Sequence, residues 1–135
     1  MSRENVELVR RAFEAATRKP EPDLELLAEL AHPDHEMTTD YGAMGGDSFR
    51  GIEGFREALT EFGTDWGEWR QELDEFLVAG EDAVVVLGHL VAEGQSSGIP
   101  VEGNWAALVK LREGRIASTR FFLDREEALE AGLRE

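Results

Sequence analysis

The sequence predicts a single α+β domain over residues 1–135, an antiparallel sheet with helices gathered toward the N-terminal end and packed on one face of it. Three observations lead there. Apolar residues recur three and four apart through most of the first half. Four β-rich runs then follow one another from Trp69 to Leu123. The length of 135 residues, 41% of them hydrophobic, suits one packed core.

Ser2 can cap a first helix whose apolar stripe is Val6, Val9, Phe13 and Ala16. That helix must stop near Lys19, because Pro20 and Pro22 follow. A second helix fits Asp23 to Ala31, with Leu24, Leu27 and Ala31 along one side, and His32-Pro33 ends it. His35 to Asp40 alternates weakly and reads as a short strand. The segment Gly42 to Ser48 reads as a loop. A third helix begins near Gly51 with Ile52, Phe55, Leu59 and Phe62 on one face, and Thr64 to Gly67 reads as a turn. Strands follow at Trp69–Ala79, Ala83–Ala92, Val101–Arg112 and Arg115–Leu123. Glu113-Gly114 reads as a tight hairpin turn between the last two. Asp124 caps a short final helix whose acidic first turn suits the helix dipole.

Charge excludes several functions. With 14 basic and 29 acidic residues the formal net charge is -15. Phosphate backbones and anionic lipid faces need a basic stripe, so neither nucleic acid nor a membrane surface is an expected partner. The acidic surface reads simply as a source of solubility. There is no cysteine, which removes disulfides, iron–sulfur clusters, thiolate zinc sites and cysteine nucleophiles. The charged N-terminus MSRENVELVRR has no apolar segment of a secretory signal, and no run reaches the roughly 18 apolar residues of a membrane span. A cytoplasmic location is the expectation.

Four stretches carry a family resemblance: ENVELVRRAFEAATR, LLAELAHPDHEM, SFRGIEGFREAL and LREGRIASTRFFLDREEALEAGL. Their order and spacing resemble SnoaL-like proteins of the nuclear-transport-factor-2-like superfamily, which includes ketosteroid isomerases and polyketide cyclases. The resemblance implies a cone-shaped, curved antiparallel sheet wrapped around the N-terminal helices, with a small-molecule pocket at its open end. It also implies a homodimer formed through the outer sheet face, and no cofactor. Fold transfers along such a resemblance more readily than function does.

Compared with ketosteroid isomerase, the chain lacks the expected chemistry at three positions. The oxyanion tyrosine falls at Phe13, which cannot donate a hydrogen bond. The second oxyanion donor falls near Ala107, which is inert. The general base falls at about Thr39, with Asp40 one residue later and therefore on the opposite strand face unless the strand bulges. Steroid isomerisation by that mechanism loses its largest catalytic contribution here.

The candidate residues follow. Asp40 is the acid/base candidate at the pocket mouth, where desolvation can raise a carboxyl pKa; its other reading is a solvated strand end. Tyr41 beside it can donate to a ligand or cover the rim. His89 can act as a base near neutral pH, although strand parity from the resemblance turns it outward and Val84, Val86, Gly88 and Leu90 inward. Phe13, Met37, Trp66, Trp105, Val109, Thr119 and Phe121 are the expected ligand-contacting walls; core packing is the competing role of each. His32, Asp34 and His35 straddle a proline-containing junction without a third converging ligand, so no metal is expected. Two functions remain: a cofactor-free isomerase, cyclase or lyase acting on a small apolar molecule, or a non-catalytic ligand-binding or dimerisation domain.

Overall fold

The computed structural model describes residues 2–18, 22–39, 48–94, 100–122 and 124–133. Helix α1 spans Ser2–Thr17 and α2 spans Leu24–Leu30. Strand β1 spans Ala31–Thr39, β2 Ser48–Arg50, and α3 Gly51–Asp65. The remaining strands are β3 (Trp66–Gly80), β4 (Ala83–Gly94), β5 (Pro100–Arg112) and β6 (Arg115–Phe122), followed by α4 (Arg125–Leu133).

The strands form one six-stranded sheet in the order β2-β1-β6-β5-β4-β3. Register shifts within β1, β3 and at Lys110–Leu111 mark irregularities of the kind that bend a sheet, and the sheet curves around α1, α2 and α3. Alternation divides each central strand between two cores. Val84, Val86, Trp105, Ala107 and Val109 face inward against Val9, Ala12 and Phe13 of α1 and Leu27 of α2. Val85, Leu87, Ala106 and Leu108 face outward, where Ala128 and Ala131 of α4 cover them. Strands buried on both faces read as continuous apolar runs, which is why AVVVLGHLVA shows so little polar punctuation.

Local chemistry accounts for the boundaries. The Asp23 carboxylate accepts a hydrogen bond from the Leu26 amide at 3.1 Å and starts α2. The β5–β6 turn has φ of 56° at Glu113 and 75° at Gly114, the two positive values of a type I′ hairpin turn. Asp124 accepts from the Glu126 amide at 2.8 Å and starts α4.

Three expectations are corrected. The sheet is mixed rather than antiparallel, because β1 runs parallel to β6, with Met37 opposite Thr119 and Thr39 opposite Phe121. The predicted turn at Thr64–Gly67 does not form; α3 continues to Asp65 and β3 begins at Trp66. Ser48–Arg50, at the end of the predicted loop, is a strand that pairs antiparallel with β1 and buries Phe49. The N-terminal helices pack on the inner face as expected, and the C-terminal α4 packs on the outer one. Among the described residues no helix is long and apolar enough to cross a membrane.

Candidate functional site

The inner face of the sheet and the helices it surrounds leave a cavity of about 270 Å³. Helix α1 contributes Ala12, Phe13 and Ala16, where two alanines leave room that larger side chains would fill. Leu27 and Ala28 of α2 and Ile52 and Phe55 of α3 close the helical side. The floor comes from the parallel strand pair: His35 and Met37 of β1, and Ile116, Thr119 and Phe121 of β6. His32 completes the rim beside Pro33. The volume lies near the lower limit of roughly 300 Å³ for ligand sites, so an occupant must be small.

Apart from His32 at the rim, the described wall residues are apolar except at one point. His35 Nε2 lies 3.0 Å from Thr119 Oγ1, a hydrogen bond across the β1–β6 pair. The hydroxyl can give or take the proton, so the bond suits either neutral tautomer of the ring. Thr119 is itself buried. Burial pushes the His35 pKa below its ordinary 6.5, and the neighbouring Glu36 charge offsets only part of that. His35 is therefore a neutral imidazole at pH 7, able to take a proton from a bound molecule.

His32 stands differently. Its Nδ1 accepts the Asp34 amide at 3.1 Å, and the Arg112 guanidinium lies 3.3–3.4 Å from both ring nitrogens. Those contacts tie the ring to the rim. No group of three or more His, Cys, Asp or Glu among the described residues is arranged to hold a metal ion.

The expected site residues divide into four groups. Phe13, Met37, Thr119 and Phe121 line the cavity together. Trp105 and Val109 face the same side but lie in the core behind it. Trp105 packs against the two cavity phenylalanines, with ring centroids 6.1 Å from Phe13 and 5.8 Å from Phe121. Trp66 opens β3 opposite Gly94, and its side chain lies outside what is described, as do Asp40 and Tyr41 altogether.

His89 lies away from the cavity. Its Nδ1 is 3.1 Å from Asp74 Oδ2, which also accepts from Arg125 Nη2 at 3.1 Å. The same arginine reaches the Gly88 carbonyl at 3.2 Å, so the cluster ties α4 to β3 and β4. The His89 hydrogen bond, followed by the Arg125 contacts, holds the Asp74 carboxyl below its ordinary 3.8. A depressed carboxyl contributes stability above its unfolded pKa and loses it as pH falls through the lower folded value. Replacing Asp74 by asparagine is therefore expected to flatten the loss of stability below pH 3.8, read by denaturant titration.

From the sequence His35 is weighed only as a metal ligand, and its place in the cavity wall is missed. Its signal was present: the alternation that turns Met37 inward also turns the residue two places earlier inward.

Comparison with known proteins fits this geometry. The sequence pattern of the SnoaL-like domain matches residues 9–119. TerC, crystallised with polyporic acid, is 23% identical with a TM-score of 0.75, over 98% of this chain and 99% of that one. A protein from Jannaschia sp. CCS1, provisionally named a SnoaL-like polyketide cyclase, is 20% identical with a TM-score of 0.74, over 99% and 94%. A protein of ketosteroid-isomerase-like fold from Catenulispora acidiphila DSM 44928, in complex with trimethylamine, is 16% identical with a TM-score of 0.70, over 92% and 90%. No curated protein matches the chain. At these identities the solved structures speak for the fold, a helix-filled curved sheet, and the matched pattern covers most of the sequence: the chain belongs to the SnoaL-like domain family.

Proposed function

We propose that this domain binds a small, largely apolar molecule in the cavity and performs cofactor-free proton transfer on it, as an isomerase, cyclase or lyase. The observation that carries the reading is His35, a neutral, half-buried imidazole held by the buried Thr119 in a largely apolar wall. Such a wall removes water from a base and orients the substrate's reacting carbon against it. Asp40, the sequence's acid/base candidate, and Tyr41, its candidate donor, follow β1 in the chain and lie outside the described residues. His89, bound up with Asp74 and Arg125, is a poorer candidate than His35.

Binding is tested by thermal shift and ligand-observed NMR with a panel of one- and two-ring apolar molecules. At least one is expected to raise the melting temperature of the wild type. Ala16→Leu, which fills the cavity from α1, is expected to lose that shift while keeping its circular dichroism spectrum. Absence of any binder removes the reading. Binding without turnover selects the alternative of a non-catalytic ligand-binding domain, which Phe13 and Ala107 favour because neither can donate a hydrogen bond.

The proposed setting is a cytoplasmic homodimer paired through the outer sheet face. Helix α4 already covers Val85 and Leu108 there, so the pairing surface must include α4 or lie beside it. Sedimentation at micromolar concentration is expected to give twice the chain mass; a monomer overturns the pairing.

A further inference from the structure

We propose that the inner sheet face carries a second subsite, beside Trp105, that takes a hydroxyl group of an otherwise apolar ligand. It rests on the cavity being a ligand site and adds a chemical requirement to that ligand. Trp105 is only 6% exposed, yet its indole Nε1 is buried with no hydrogen-bond partner among the described residues. Gln71 Oε1 is likewise buried without a partner among them. Leaving such groups unmade costs a fold their full desolvation, so each marks a place where a polar group is missing.

Register sets the two on neighbouring rows of one face. Gln71 pairs with Leu90, which pairs with Gly103; Leu73 pairs with Gly88, which pairs with Trp105. Residues two apart on a strand share a face, so the rows Gln71–Leu90–Gly103 and Leu73–Gly88–Trp105 both look inward. The first row ends in the open: Gly103 is exposed, and a Cβ there would meet nothing within 4 Å, so a ligand group can reach this row from solvent. The second row holds the indole in place. Its Cε2 edge, which carries Nε1, lies over Gly88 at 2.8 Å from where a Cβ would stand. Phe13 and Phe121 pack against the same indole and also line the cavity, so the indole stands directly behind the cavity wall.

One donor and one acceptor define the ligand group. A hydroxyl can accept from Trp105 Nε1 and donate to Gln71 Oε1, whereas a carbonyl can only accept. A carboxylate finds no cation among these residues. The subsite therefore prefers a phenol or alcohol to the matching hydrocarbon.

The test uses 2-naphthol and 2-methylnaphthalene, two-ring molecules that differ at the hydroxyl. Protein labelled with ¹⁵N in its tryptophan indoles is titrated with each, and Trp105→Phe assigns the Trp105 indole resonance. The naphthol is expected to bind about tenfold more tightly. It is also expected to move the Trp105 indole proton downfield, as hydrogen bonding to an oxygen does, while the hydrocarbon leaves it unmoved. Gly103→Ile, whose Cβ meets nothing within 4 Å, puts a branched side chain over this row, and it is expected to abolish the naphthol preference while leaving hydrocarbon binding intact. Gln71→Met is expected to reduce the preference; these two variants carry the test if Trp105→Phe does not fold. Equal affinities, or naphthol binding with the Trp105 resonance unmoved, overturns the subsite and leaves the cavity reading standing. Failure of both probes to bind at millimolar concentration removes this subsite and counts against the cavity reading itself.

Discussion

Gly88→Ala is expected to destabilise the domain by about 2–3 kcal/mol, a loss on the order of 10 °C in melting temperature. Glycine in the middle of a central strand is ordinarily a weakness, and alanine gains chain entropy there. At this position the gain is overwhelmed. A Cβ would stand 2.5 Å from Trp105 Cζ2 and 2.6 Å from the Glu72 carbonyl oxygen. The indole can turn, but the carbonyl belongs to β3 beside the register shift between Leu73 and Glu75. Relief therefore requires the β3–β4 pair to separate locally, and the Arg125 hydrogen bond to the Gly88 carbonyl is strained with it. Urea denaturation of Gly88→Ala, Trp105→Phe and the double variant separates the two clashes. If the indole were the whole obstacle, the double variant would be no less stable than Trp105→Phe. The carbonyl contact predicts that a substantial part of the cost remains. A wild-type midpoint for Gly88→Ala would show that the close approach is not held by the fold.

How far the sequence could be read depends on whether the signal is local. A period of two sorts Val84 to Leu87 and Trp105 to Val109 into two faces from neighbouring residues alone, but these runs are apolar throughout, and it is the resemblance that says which face is inner. The Glu113-Gly114 turn was legible for the same reason: its backbone angles select its residues. The parallel pairing of β1 with β6 joins residues about eighty positions apart, and no local pattern encodes it. Strand β2 has three residues, too few for a period to show. The outer position of α4 follows from small residues, Ala128, Ala131 and Gly132, fitting against Val85 and Leu108, a matter of shape rather than pattern. The site divides similarly. Parity counted from the position that the resemblance supplies gives Thr119 and Phe121, and counted two residues back from Met37 it reaches His35. What parity does not supply is depth along the strand, so Trp105 and Val109 share the inner face yet stand behind the cavity wall.

His35 is the residue whose replacement should cost most in function. A carbon acid small enough for the cavity, such as 2-tetralone, exchanges its α-protons in D₂O when a base abstracts them, and NMR follows the loss of signal. Wild-type protein is expected to accelerate that exchange, and His35→Gln to lower the acceleration by about 10²–10⁴-fold, the range for a positioned general base. Thr119→Val, which leaves the imidazole but removes its hydrogen bond, is expected to fall between the two. Burial fixes the pH dependence. Because the folded pKa lies below 6.5, the base stays active until the pH drops beneath that value, and the rate then falls along an acid limb. Stability must change over the same interval. Below pH 6.5 the unfolded chain protonates this histidine while the folded domain resists, so the unfolded state gains and stability declines until the folded pKa is passed; above 6.5 neither state takes the proton and the contribution is level. Subtracting the pH–stability curve of His35→Gln from that of the wild type isolates the slope that belongs to this residue. A difference curve flat between pH 7 and 5 would falsify the half-buried neutral imidazole. Exchange rates equal in wild type and His35→Gln, with binding intact, would pass the proton transfer to Asp40 and leave His35 as a wall.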